Sequence, residues 1–371
     1  MIGLSLSAVD TLFFRDGTPF TSEGTGQSDP GGMFPPSPDT VSGALRAALA
    51  RSNGWDGRPN TWPKSVLGDG ADDLGRVSFE GPFVLKDGHL WVPVPRHVVG
   101  IIENGEWRPA ALLGPGEGVI CDLGDDIRLP DVVRNDQGVS PYDLVPGEDY
   151  WMSLDSLREV LWGGLPPEST VVPNHKLWRT ERRIGLTRSQ ATRAAEEGML
   201  YSALHIRLAP DVSLGVRVYG VPDDWRSPAG SLLPLGGEGR LVECSFWRDS
   251  ELDALDMPLH EVASCGRAMV IALTPVILDA SVYRGRAPLR ELGGARVVSA
   301  CLDRAMRLGG WDSLKKQPRP IRSVLPAGSV LFCEVAPGQP IEIDTSPGFP
   351  RIGERTAHGY GVVAIGVWPK G

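Results

Sequence analysis

The densest chemistry in the sequence lies between His175 and Arg193. There Lys176, Arg179, Arg182, Arg183, Arg188 and Arg193 face only Glu181 as a counter-charge. Six cations against one acid stand out in a chain whose formal charge is −9. Arginine pairs bidentately with phosphate and stacks its plane on bases, and Trp178 adds a π-face to the same run. The spacing suits a nucleic-acid backbone; the plainer alternative is a solvated face ion-paired to Glu196 and Glu197. A second concentration is the loop Gly353-Glu354-Arg355-Thr356-Ala357-His358-Gly359-Tyr360-Gly361. Without Cβ atoms, Gly359 and Gly361 let backbone amides approach a phosphate. Arg355 supplies a charged donor, and His358 or Tyr360 a stacking face. The same string also reads as a β-turn whose glycines only supply positive φ. A softer basic area runs from Arg284 to Arg290 and through Lys315, Lys316, Arg319 and Arg322. Its prolines suggest an extended loop equally suited to a protein contact.

Other chemistries find no support. There is no G-x-x-x-x-G-K-[ST], G-x-S-x-G or H-E-x-x-H string. Gly359-Tyr360-Gly361-Val362-Val363-Ala364 fits a loose G-x-G-x-x-A, but a dinucleotide loop needs a helix after it. The residues that follow, through Trp368, have β character. Asp10 and Asp16 are no acid/base pair, since nothing around them implies the apolar pocket that would raise either pKa. Five dispersed cysteines and six histidines show no ligand spacing, so neither a metal nor a cofactor is expected. The cysteines read as reduced thiols, and the N-terminus lacks the basic and apolar regions of a signal peptide, so a cytoplasmic protein is expected. No apolar run approaches the ~20 residues of a membrane span. An acidic chain repels polyanions at long range, so any nucleic-acid contact must be local.

The elements that must position these residues fit two cores better than one, given 371 residues. Residues 2–14 alternate as a strand, with a turn at Asp16-Gly17. Ser37 or Asp39 caps a helix through Val41, Leu45, Ala48 and Leu49. Residues 56–76 and 103–150 are rich in Gly, Pro and Asp and read as insertions. A helix spans Leu154 to Trp162 with Ser153 as its cap. Another is expected over Ser189–Gly198, then strands at Leu200–Leu208, Ser213–Tyr219 and Arg240–Trp247. The C-terminal part reads as strand (Ala268–Thr274), helix (Ser299–Leu308), strand (Ser329–Val335) and strand (Val362–Trp368). Short strands with single helices favour an α+β fold over a doubly wound sheet.

Two blocks near the N-terminus, Asp10-Thr-Leu-Phe-Phe-Arg-Asp-Gly-Thr-Pro-Phe20 and Phe34-Pro-Pro-Ser-Pro-Asp-Thr-Val-Ser-Gly-Ala-Leu-Arg46, resemble a known signature. They look like the third subunit of the type III-B CRISPR (Cmr) effector, a member of the RAMP superfamily. Arg183-Ile-Gly-Leu186 with Thr192–Tyr201, Gly309–Asp312 with Val324–Ser329, and the 353–361 loop are similar to its later motifs. The resemblance implies two ferredoxin-like (RRM-like) domains with long loop insertions, divided as 1–255 and 256–371. It also implies a non-catalytic subunit that binds the 5′ handle of the guide RNA. Its partners would be a large polymerase-like subunit and the RAMP backbone subunit, with target RNA contacted only indirectly. Arg15, in the first block, joins Lys176, Arg179, Arg182, Arg183, Arg188, Arg193, Arg355, His358, Gly359 and Gly361 as the candidate RNA-binding set. Two rivals remain. One is a metal-independent endoribonuclease of repeat RNA, with His358 as acid/base beside Arg355. The other is a protein scaffold without RNA, which leaves residues 175–193 unexplained.

Overall fold

The computed structural model describes residues 1–15, 32–121, 124–188, 195–248, 255–312, 316–335, 341, 343 and 348–369. It is an α+β protein with two sheet units of one topology. In the first, β1 (Ile2–Ala8) is followed by α1 (Pro38–Ser52), β2 (Ser78–Lys86), β3 (Val212–Tyr219) and β4 (Leu241–Phe246). These strands lie in the order β4–β1–β3–β2, each antiparallel to its neighbours. In the second, β5 (Arg267–Ala272), β6 (Arg296–Cys301), β7 (Val330–Glu334) and β8 (Val363–Gly366) lie in the order β8–β5–β7–β6. Fourth, first, third, second is the strand order of a ferredoxin-like unit, and the chain uses it twice.

Local sequence accounts for these elements. Ser37 caps α1 by accepting from the Thr40 amide, and Pro38 occupies the first turn, where its missing N–H is not needed. Val41, Leu45 and Leu49 then fall on one face and close over Leu4 and Leu6 of β1. Strands of the second core carry near-continuous apolar runs because both of their faces are buried. Met269 and Ile271 of β5 point into one core, while Ala268, Val270 and Ala272 point into another. The first of these two cores is shared between the halves. It also takes Phe83 and Leu85 of β2 and Leu157, Val160 and Leu161 of α2 (Leu154–Leu161), a helix inserted in the first half. Ser153 caps α2, and the Val367 amide donates to the Leu161 carbonyl at 2.9 Å, so an N-terminal helix seats against the last strand.

Four expectations are corrected. Ser299–Leu308 is not a helix: residues 296–301 form β6, and Met306–Leu308 begins a separate hairpin. The β-branched pair Val297-Val298 and the pairing of Val297 through Cys301 with β7 prevail over a weak helical spacing. Of the helix placed at 189–198, residues 189–194 lie outside the described residues, and 195–198 are strand, within Ala195–Leu208. That strand pairs along its length with Trp178–Arg188, so the tertiary partner decides. The insertion at 103–150 is largely sheet rather than loop, with a long hairpin of Glu106–Cys121 against Gly124–Arg134. The first strand ends at Ala8, and the turn at Asp16-Gly17 lies outside the described residues. No helix among the described residues is long and apolar enough to cross a membrane.

Candidate nucleic-acid interface

The basic stretch forms one strand of the hairpin Trp178–Arg188/Ala195–Leu208. Its alternation sorts the charges. Arg179, Glu181 and Arg183 share one face, and Arg207 joins it from the partner strand, opposite Arg179. Asp10, just past β1, receives three guanidinium groups there: Arg183 at 3.1 Å, Arg207 at 3.1 Å and Arg240 at 3.3 Å. Glu181 accepts from Arg183 at 2.9 Å and Arg207 at 2.7 Å. The Arg183 hydrogen bond leads the causes that hold the Asp10 carboxyl down at about 2. On the same face, opposite Glu181, His205 is buried, its Nδ1 3.0 Å from the Thr11 hydroxyl and its ring stacked on Phe13. Leu12 and Ile206 exchange backbone hydrogen bonds of 2.8 Å, which ties the segment after β1 to the hairpin edge.

Lys176, Arg179 and Arg182 are exposed, and Arg183 is half-buried in the carboxylate network. Arg188 is the last residue of its strand; its side chain, like the whole of Arg193, lies outside the described residues. Arg15 is exposed, with its backbone bridged to Gly32.

The glycine-rich loop comes together at a different place, the seam between the two cores. Arg355 stands in the left-handed region at φ 57° and pairs with Asp39 at 2.6 Å and with Asp72. Tyr360 donates its hydroxyl to Asp39 at 3.1 Å and is 1% exposed. His358 is 5% exposed and donates Nε2–H to the Ala71 carbonyl at 3.0 Å. Burial holds its pKa below the ordinary histidine value. The amides of Gly359 and Gly361 are taken by the carbonyls of Thr356 (3.0 Å) and Pro275 (2.9 Å). A Cβ at Gly359 would collide with the Gly81 carbonyl, and one at Gly361 with that of Ile352. The loop's missing side chains thus admit the protein's own backbone. Next to it, Glu80 is fully buried between Arg217 (3.2 Å) and Arg351 (3.3 Å), and it also accepts from the Phe349 amide at 3.0 Å. A cleft of about 300 Å³ opens over the loop, bounded by Asp39, Asp72, Arg319, Arg322 and Tyr360. Arg319 and Arg322 there are paired with Asp39 (3.5 Å) and Glu354 (3.0 Å).

Sequence reasoning passed over Asp10, Asp39 and Asp72, the carboxylates that organise both sites. The sequence shows Asp10 only as a lone acid; the alternation Arg179–Glu181–Arg183 is the signal that a mixed-charge face could take a further one. Asp39 and Asp72 gave no such sign, because their partner Arg355 is 316 and 283 residues away.

The family model for CRISPR-associated protein (Cas_Cmr3) matches residues 4–368. Among solved structures, a chain of the Type III-B Cmr-beta bound to cognate target RNA and AMPPnP is 15% identical, with a TM-score of 0.44. That match covers 89% of this chain and 86% of the other. A chain of the Csm3-Csm4 subcomplex in the type III-A CRISPR-Cas interference complex is 10% identical, with a TM-score of 0.41, covering 95% and 98%. No curated protein matches. With its matched residues reaching from β1 to just beyond β8, the chain belongs to the CRISPR-associated protein (Cas_Cmr3) family.

Proposed function

We propose that this chain is the subunit of a type III-B CRISPR RNA-guided effector that holds the 5′ handle of the guide RNA. In this reading it sits between the large polymerase-like subunit and the RAMP backbone subunit, in the cytoplasm, and meets target RNA only indirectly. Its two domains divide near residue 255. The observation that carries the RNA part is the exposed series Lys176, Arg179 and Arg182 along one hairpin of an acidic chain. On the face that Arg179 shares, the carboxylates Asp10 and Glu181 engage Arg183 and Arg207. Cations on an extended strand suit a phosphate backbone and carry no sequence preference of their own.

The chain in this reading does not cut RNA. A general acid/base must reach the proton it moves. His358 is buried, its Nε2 is held by a backbone carbonyl, and Tyr360 beside it is tied to Asp39. The test is crosslinking of guide RNA within the purified effector, followed by mapping of the crosslinked peptide. Crosslinks between residues 175 and 193 are expected. Crosslinks confined to other subunits would remove the RNA-binding reading, and specific cleavage of repeat RNA that disappears in His358→Ala would establish the nuclease.

A further inference from the structure

We infer that an aromatic groove beside the root of the basic hairpin receives one unstacked base of the single-stranded RNA that the hairpin holds. This rests on the RNA-binding reading above and adds to it a site for the base. The groove, of about 180 Å³, is lined by Phe34, Trp91, Tyr150, Trp178 and Met306, with Arg96 at its wall. None of the four aromatic rings is fully buried. Trp178 is fixed in place, 4.6 Å from Phe34 and edge-on to Trp151 at 5.3 Å between ring centroids. A rigid ring beside an open space is what base stacking requires, and every base has a π-face to offer.

The groove lies between two cationic strands. Trp178 opens the strand that carries Arg179 and Arg182. Lys176 stands on the preceding turn, which Asn174 fastens to the groove residue Asp149 at 3.0 Å. On the other side, Met306 opens the strand Met306–Leu308, whose Arg307 is exposed and which pairs with Arg322–Val324. Arg304, two residues before Met306, is exposed as well, whereas Arg319 and Arg322 face the other cleft and pair with Asp39 and Glu354. A polyanion running from one strand to the other passes the mouth of the groove. An extended proline-rich peptide also suits tryptophan-lined grooves, but it makes no demand for cations on both banks. The volume is below the roughly 300–1,000 Å³ of a pocket for a drug-sized ligand, and so fits a single ring system.

The experiment is an abasic scan. The full chain is titrated with a single-stranded octaribonucleotide and with eight versions, each lacking one base. One position is expected to weaken binding by about five- to 150-fold, the range for loss of one stacked base. That loss should vanish in Trp91→Leu and persist in Trp91→Phe. If Trp91→Leu does not fold, quenching of tryptophan fluorescence by the octamer, with and without the sensitive base, reads the same stacking in the parent. A flat scan overturns the groove site. If Arg179→Glu with Arg182→Glu still weakens binding in that case, the functional reading stands without it. A flat scan with displacement of the octamer by a proline-rich decapeptide assigns the groove to a peptide and overturns the base. If the octamer does not bind at all, both readings fall.

Discussion

The basic hairpin and the glycine-rich loop enter the sequence as two versions of one thing, a cationic segment with residues fit to meet phosphate. The fold treats them oppositely. At the hairpin, Asp10 and Glu181 engage Arg183, Arg207 and Arg240, while Lys176, Arg179 and Arg182 are exposed. In the loop, Arg355 is held by Asp39 and Asp72, Tyr360 by Asp39, His358 by Ala71, and both glycine amides by carbonyls. One segment displays its charge, and the other uses its charge to join two cores. A cation's role is set by the carboxylates its neighbours bring, and these come from distant parts of the chain.

If the loop is a seam, its glycines should matter for folding before anything else. Gly359→Val places a side chain against the Gly81 carbonyl at a backbone φ of 105°, and so combines overlap with strain. Replacement of Gly361 meets Ile352 in the same way. Losses of about 4 kcal/mol or more, or no soluble protein, are expected for either. Chemical denaturation measures this; a folded Gly359→Val variant with parental stability would return the glycine to a surface role.

Glu80→Ala should come next. It leaves Arg217 buried with its carboxylate removed and strips Arg351 and the Phe349 amide of their partner. Breaking a buried pair from one side costs about 3–5 kcal/mol. Because Arg217 lies on β3 and Arg351 beyond β7, the loss should appear as parting of the two halves, read by faster proteolysis near residue 255.

A milder break of the seam is acid. Burial lowers the pKa of His358 below its unfolded value, so the folded state resists the proton that the unfolded chain takes up. The stability owed to neutral His358 is complete above about pH 6.5, the unfolded value. It is lost as pH falls below that and toward the depressed folded pKa. His97, fully buried and lowered to about 3, adds a term of the same sign. Unfolding midpoints from pH 7 to 5 should therefore fall, and His358→Gln, which keeps a donor for Ala71, should flatten the decline.

The sequence was most legible where a local rule and the tertiary structure agree. Ser37-Pro38 and Ser153 mark helix starts by their own hydrogen bonding, and both helices begin there. The apolar runs at β5, β7 and β8 announce strands whatever they pack against. It failed where the partner decides: 296–301 is strand because β7 lies beside it, and 195–198 because 178–188 does. The site follows the same division. A glycine shows that a Cβ is missing, but not whether a phosphate or the Gly81 carbonyl fills the space. The hairpin's cations were visible, and the family motifs around Asp10 and Asp39 were visible, but not that these two aspartates fix the arginines of the two sites.

The smallest expected effect on stability should come with the largest on RNA. Arg179 and Arg182 are exposed, and substitutions at such positions usually change stability by no more than about 0.5 kcal/mol. Arg183 differs, since it bridges Asp10 and Glu181 and its reversal would set three carboxylates together. Arg179→Glu with Arg182→Glu is therefore the clean test, and Arg182→Glu with Arg183→Glu mixes two effects. Each phosphate contact contributes roughly 0.7 to the slope of log K against log salt for single strands, so losing two should flatten the slope by about 1.4. The weakening should be the same for RNAs of unrelated sequence, because backbone contacts carry no base information. An Arg179→Glu/Arg182→Glu protein that melts like the parent and binds RNA with the parental slope would make the hairpin a solvated face. Arg183→Glu, by contrast, should unsettle the Asp10 network while changing the salt slope little, because its guanidinium is already neutralised. If Arg183→Glu flattened the slope as strongly as the double variant, phosphate would have to displace Asp10, and the division of the hairpin's arginines into carboxylate-bound and RNA-binding ones would fail.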